Sequence, residues 1–239
     1  MGGNITTTGL QSFGDAVVLT NGVALSGSNI TFGNTIDGAF DLTLNSTAVT
    51  NLQGAIGATT ALTSLNTNAG ETTQLGGNIT TTGAQTFNDA IALTANITAD
   101  AGTANITFAN TINGGFGLTL NSTGTTSLQG AIGATTALTS LSTNAGGTTQ
   151  LGGDITTTGA QTFNDAIALA TNVTIDAATS NITFADTING AFGLTLNSTG
   201  TTNLQGAIGG TTALASLTTS AGGTTQLNEN ITTTGNKNV

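Results

Sequence analysis

The chain has 239 residues, of which 5% are charged and 4% aromatic, and eleven carboxylates against the single lysine, Lys237, give a formal charge of -10. That balance offers no basic surface for phosphate, so neither nucleic acid nor an anionic membrane is an expected partner. The absence of cysteine and histidine excludes disulfides, thiolate or imidazole metal sites and Ser-His or Cys-His nucleophiles. No apolar run approaches the ~18 residues of a spanning helix, so membrane insertion is not expected.

Taken from the start, the chain repeats itself. Residues 1–71, 72–147 and 148–223 are three copies of one 76-residue unit, and 224–239 begins a fourth. The second and third copies are identical at 62 of 76 positions, while the first lacks three residues at its start and two more inside. A fixed period of this kind makes 1–239 one array in which each unit buries its apolar residues against its neighbours.

Inside every unit a smaller motif recurs four times: Phe or Leu, any residue, then Asp, Asn or Gly, any residue, then Ile or Val. In the second unit it occupies Leu75–Ile79, Phe87–Ile91, Phe108–Ile112 and Leu128–Ile132. Between motifs, apolar and small polar residues alternate, as in Ile106-Thr107-Phe108 and Leu118-Thr119-Leu120, which predicts short strands bounded by Asn/Ser/Thr/Gly turns. Helix signals are absent, since no 3.6-residue stripe is sustained and glycine is frequent. Each motif therefore reads as strand, corner, strand. Its midpoint (Gly77, Asp89, Asn110 and Gly130 in the second unit) is expected to take the left-handed conformation those residue types tolerate best.

The motifs are spaced by 21, 20, 23 and then 12 residues, and the first three intervals match one coil of a parallel β-solenoid. The fold class expected is all-β: a right-handed, three-sided β-helix of about three coils per unit, or four compressed coils as the second choice, with Phe87, Phe108 and Leu128 stacked in one column. At ~4.8 Å per coil it is a rod on the order of 45 to 60 Å long. Six of the fourteen differences between the second and third units fall within 94–104, which is expected to be a surface loop. Both ends of the array fall inside a unit, and a segment of a longer rod is expected, the alternative being that the tail Asn236-Lys237-Asn238-Val239 is a modest cap.

The phrases GGNITTTGAQTFNDAIALT, NITFANTING, GLTLNSTGTT and GAIGATTALTSLSTNAGGTTQL cover nearly the whole chain. They resemble the strand-repeat regions of filamentous-haemagglutinin-like bacterial exoproteins, adhesins exported by two-partner or autotransporter secretion. The resemblance implies display outside the cell or on its surface and a role as the structural shaft of an adhesin, joined to other domains of a larger exoprotein. It carries over no catalytic residue.

The residues themselves leave few chemical candidates, and no catalytic, cofactor-binding or metal-binding set is expected. Asp37 with Asp41 is the one carboxylate pair at a glycosidase-like spacing, but the sister units place Asn113 with Gly117 and Asn189 with Gly193 there, so a solvated surface pair is expected. Asp89, Asp165 and Asp186 are expected at stacked corners, with too few oxygens between them for calcium. Two alternatives to a passive shaft stand beside it. One is a filament subunit that partners itself by head-to-tail stacking of solenoid ends. The other is an ice-binding face built on the triplets Thr6–Thr8, Thr80–Thr82 and Thr156–Thr158.

Overall fold

The computed structural model describes all 239 residues; it contains 31 short strands and no helix. Every strand pairing is parallel and joins residues about one coil apart. Phe87 lies opposite Phe108, Phe108 opposite Leu128, and Leu128 opposite Leu151. Followed along one face from Val17 to Leu227, the pairings pass through eleven coils. The chain is a parallel β-solenoid with three strand-bearing faces, and at ~4.8 Å per coil it is on the order of 50 Å long.

Alternation along each strand puts one set of side chains inside. The strand Ile106–Phe108 buries Ile106 and Phe108 and turns Thr107 outward, and the same rule applied throughout yields one continuous core of 46 buried residues. Phenylalanine pairs stack along the axis: Phe87 on Phe108 with ring centroids 4.7 Å apart, Phe13 on Phe32 at 4.7 Å and Phe163 on Phe184 at 4.8 Å. The coil spacing imposes this parallel stacking, and burying each ring contributes roughly 1.5 to 3 kcal/mol. Phe40, Phe116 and Phe192 lie outside these stacks; the latter two are only partly buried against the core.

The expectation of three coils per unit is corrected by the pairings. Between 72 and 147 the chain lays down ten strands plus the bridge at Ile132, hence eleven sides, and eleven sides at three per coil make 3⅔ coils. The 12-residue interval from Leu75 to Phe87 covers two sides, by way of Ile79–Thr80, and does not close a coil. Each new unit therefore starts one face back from the last: Thr72–Leu75, Thr148–Leu151 and Thr224–Leu227 belong to three different strand files. After three units the phase returns.

Two local expectations also change. The motifs do form corners, since Phe87 ends one strand and Ala90 begins the next on another face. Their midpoints, however, are not left-handed: none is among the residues with positive φ. Glycine is needed at Gly130 because the preceding coil passes too close for a side chain, a Cβ there falling 2.6 Å from the Asn110 carbonyl oxygen and 2.7 Å from the Thr111 nitrogen. At Asn110 and Asp186 the side chain accepts from the following backbone N–H, Thr111 at 2.8 Å and Thr187 at 2.6 Å. The variable segment is not a loop either. It holds the strand Ile97–Gly102, which buries Ile97, Ala99 and Ala101. Only Thr103 and Ala104 beyond it form the turn that the first unit shortens. That turn is entered through Gly102 at φ 56°, a left-handed residue whose counterpart in the third unit is Ala178 at φ 50°.

Candidate functional site

The polar residues of the code have a specific task. Asparagine or aspartate just before a strand accepts a hydrogen bond from an N–H in the first two strand residues of the coil that follows: Asn78 from Thr98 at 2.9 Å, Asn105 from Thr125 at 2.8 Å, Asp154 from Thr174 at 2.7 Å and Asn181 from Thr201 at 2.8 Å. These bonds tie coil to coil at strand starts, where the sheet ladder has not yet begun. Asp37 belongs to the same system. It accepts from the Thr59 and Thr60 amides at 2.8 and 3.0 Å, as Asn113 and Asn189 do from their own threonine pairs. Asp41 sits on the next strand and another face, where it accepts from the Ser64 hydroxyl at 2.6 Å. Asp37 and Asp41 are thus engaged separately on two faces, each as a backbone or hydroxyl acceptor at the surface, Asp41 exposed and Asp37 half-buried.

Asp89, Asp165 and Asp186 do not share one column. Phe87 and Phe163 lie in different strand files, so only Asp165 and Asp186 occupy neighbouring coils. Asp89 and Asp165 are buried. Asp165 accepts from the Gly147 N–H at 2.8 Å and the Thr149 hydroxyl at 2.9 Å, and Asp89 has the equivalent bonds to Glu71 and Thr73. Burial raises the Asp165 carboxyl above the ordinary aspartate range; the two hydrogen bonds oppose this and Asp186 reinforces it. No group of three or more metal-ligating carboxylates forms. The threonine triplets of the second and third units do not present three outward hydroxyls, because Thr81 and Thr157 are buried and donate to the Gly83 and Gly159 carbonyls.

What the sequence reading missed is a pair of shallow clefts, related by the 76-residue period. One, of about 350 Å³, is lined by Asn78, Asn96, Thr98, Gly117, Thr119 and Ser140; the other, of about 470 Å³, by Asp154, Asn172, Thr174, Gly193, Thr195 and Ser216. Each runs across successive coils. In the first, Asn78 and Asn96 present their Oδ1 atoms to the backbone, Asn96 accepting from Gly117 at 2.8 Å, so both Nδ2 groups are left without an acceptor inside the chain. Gly117 leaves the floor bare. The signal was present in the sequence as glycine at an outward strand position, and it becomes legible only once the coils show which residues flank it. Comparison of the chain with protein-family models, curated proteins and solved structures returned no match.

Proposed function

We propose that the chain is a structural shaft segment of a secreted or surface-displayed bacterial adhesin, setting distance and rigidity without catalysis. The observation that carries this reading is the construction of the rod itself: a continuous core of 46 buried residues inside a wall whose polar code ties each coil to the next. Because the unit steps back one face at each repeat, equivalent surface residues are distributed around the axis. That arrangement supports a spacer over a single flat working face of the kind an ice-binding surface needs. The test is immunolabelling of intact source cells with antibodies against the 239-residue chain. Surface labelling is expected, and labelling that needs permeabilised cells would overturn the reading.

Head-to-tail stacking of solenoid ends is the alternative reading, since every coil of the repeat presents strand edges that another coil can pair. Opposing it, Lys237 occupies the inward slot that Gln85 and Gln161 fill in earlier units, its Nζ donating to the Ile231 carbonyl at 2.7 Å. A further coil laid over it would bury that ammonium. Light scattering and electron microscopy of the free chain separate the two: short discrete rods leave the shaft, and long fibres one solenoid wide establish the filament.

A further inference from the structure

We infer that the two equivalent clefts, one in the second unit and one in the third, are binding sites for an uncharged oligosaccharide, so that the rod carries ligand as well as setting distance. The inference is independent of the shaft reading, since a rod that bound nothing would still be a shaft.

The geometry is that of an axial trough. Asn78, then Asn96 with Thr98, then Gly117 with Thr119, then Ser140 come from four successive coils, so the polar groups span three coil steps, about 14 Å at the usual strand spacing. Along one wall run Asn78, Thr98 and Thr119; Asn96 and Ser140 flank the glycine on the other. The free Nδ2 groups are donors, and the hydroxyls of Thr98, Thr119 and Ser140 have no partner within the chain and can donate or accept. Donors and acceptors at regular intervals along a trough match a chain of hydroxyl-bearing rings.

Charge and shape narrow the class. Neither trough contains a cation and the chain carries a formal charge of -10, so an anionic ligand is disfavoured. No aromatic or large apolar wall is present to hold a hydrophobic ligand. The second trough exchanges Asn78 for Asp154, whose Oδ1 accepts from Thr174 and whose other oxygen remains available to accept from a ligand hydroxyl. An open trough without an aromatic platform binds weakly, in the millimolar range for one site.

The first unit supplies an internal control. At the place of Gly117 it has Asp41, which reaches the Ser64 hydroxyl at 2.6 Å, while Ala24 and Gly22 stand where Thr98 and Asn96 line the second unit. No cleft forms there. Because each unit steps back one face, the two open troughs face different directions around the axis and engage separate glycan chains.

The test uses the whole 239-residue chain with maltotetraose, cellotetraose, mannotetraose and chitotetraose at millimolar concentration, read by saturation-transfer and side-chain amide NMR. At least one tetrasaccharide is expected to shift the Asn78, Asn96 and Asn172 Nδ2 signals while leaving Asn4 unmoved. The double variant Gly117→Asp, Gly193→Asp installs the first unit's own pairing with Ser140 and Ser216, so the fold is retained and the shifts are lost. Thr98→Val with Thr119→Val keeps the trough's shape and is expected to weaken the second-unit site alone by at least fivefold. Absence of shifts with all four sugars, persistence of shifts in the glycine double variant, or preference for tetragalacturonate would each overturn the inference.

Discussion

Aspartate at a corner midpoint is a different residue from one copy of the unit to another. Asp186 is exposed and holds the next amide, whereas Asp165 points inward, is almost wholly buried and satisfies only one N–H and one hydroxyl. Its carboxyl is raised chiefly by desolvation, so the folded state binds the proton more tightly than the unfolded chain does. The sign follows directly. The protonated form's contribution to stability is fully present below the ordinary aspartate value and is lost as pH rises through the higher folded value. Asp165→Asn removes that dependence: Asn can still accept from Gly147, and the Thr149 hydroxyl can turn to accept from its amide. Urea titrations at several pH values between 3 and 7 should show wild type losing stability relative to the variant as pH rises across this window, with the two converging at its acid end. A difference that stayed flat, or ran the other way, would mean that the carboxylate is better solvated than its burial implies.

At the scale of one coil, glycine has two unrelated uses, and the sequence motif blurred them. Gly130 is required by the close passage of Asn110 and Thr111, so Gly130→Ala must push coils apart or break their ladder, at a cost of about 1 to 3 kcal/mol. Gly102 is required only by its positive φ, has open space where a Cβ would go, and is already replaced by Ala178 in the third unit. Gly102→Ala should change stability by less than about 1 kcal/mol, because the strain of the left-handed alanine is offset by the smaller entropy of its unfolded chain. Chemical denaturation of both variants checks the order; a costlier Gly102→Ala would mean backbone strain outweighs coil contact here. The strands, the corners and the Phe87–Phe108–Leu128 column could be read from the sequence because alternation and spacing are local properties. The reason for each corner residue could not, because Gly130 meets Asn110 only after a full coil has closed. The partners of Asp37 and the bare floor at Gly117 were hidden for the same reason: each depends on residues about 20 positions away, an offset set by coil length.

For the whole molecule the governing number is eleven sides per unit. Since eleven is not a multiple of three, a unit cannot return to its starting face, yet the third unit keeps the coil-to-coil register of the second, Phe163 lying opposite Phe184 as Phe87 lies opposite Phe108. The rod has screw symmetry, and the absolute face carries no structural information. Removing residues 72–147 leaves 239 − 76 = 163 residues in which Thr148 follows Glu71, where Thr72 stood. The new junction is then equivalent to the old one. This shortened chain should fold, with a maximum dimension about 18 Å smaller by X-ray scattering, the height of 3⅔ coils. Its urea dependence should fall to about two thirds of the parent's, in proportion to the surface buried, and the Phe163–Phe184 stack should persist. A 163-residue chain that failed to fold would show that contacts beyond the neighbouring coil fix each unit to its own face, and a rod built that way would be an anisotropic structure with a distinguished side.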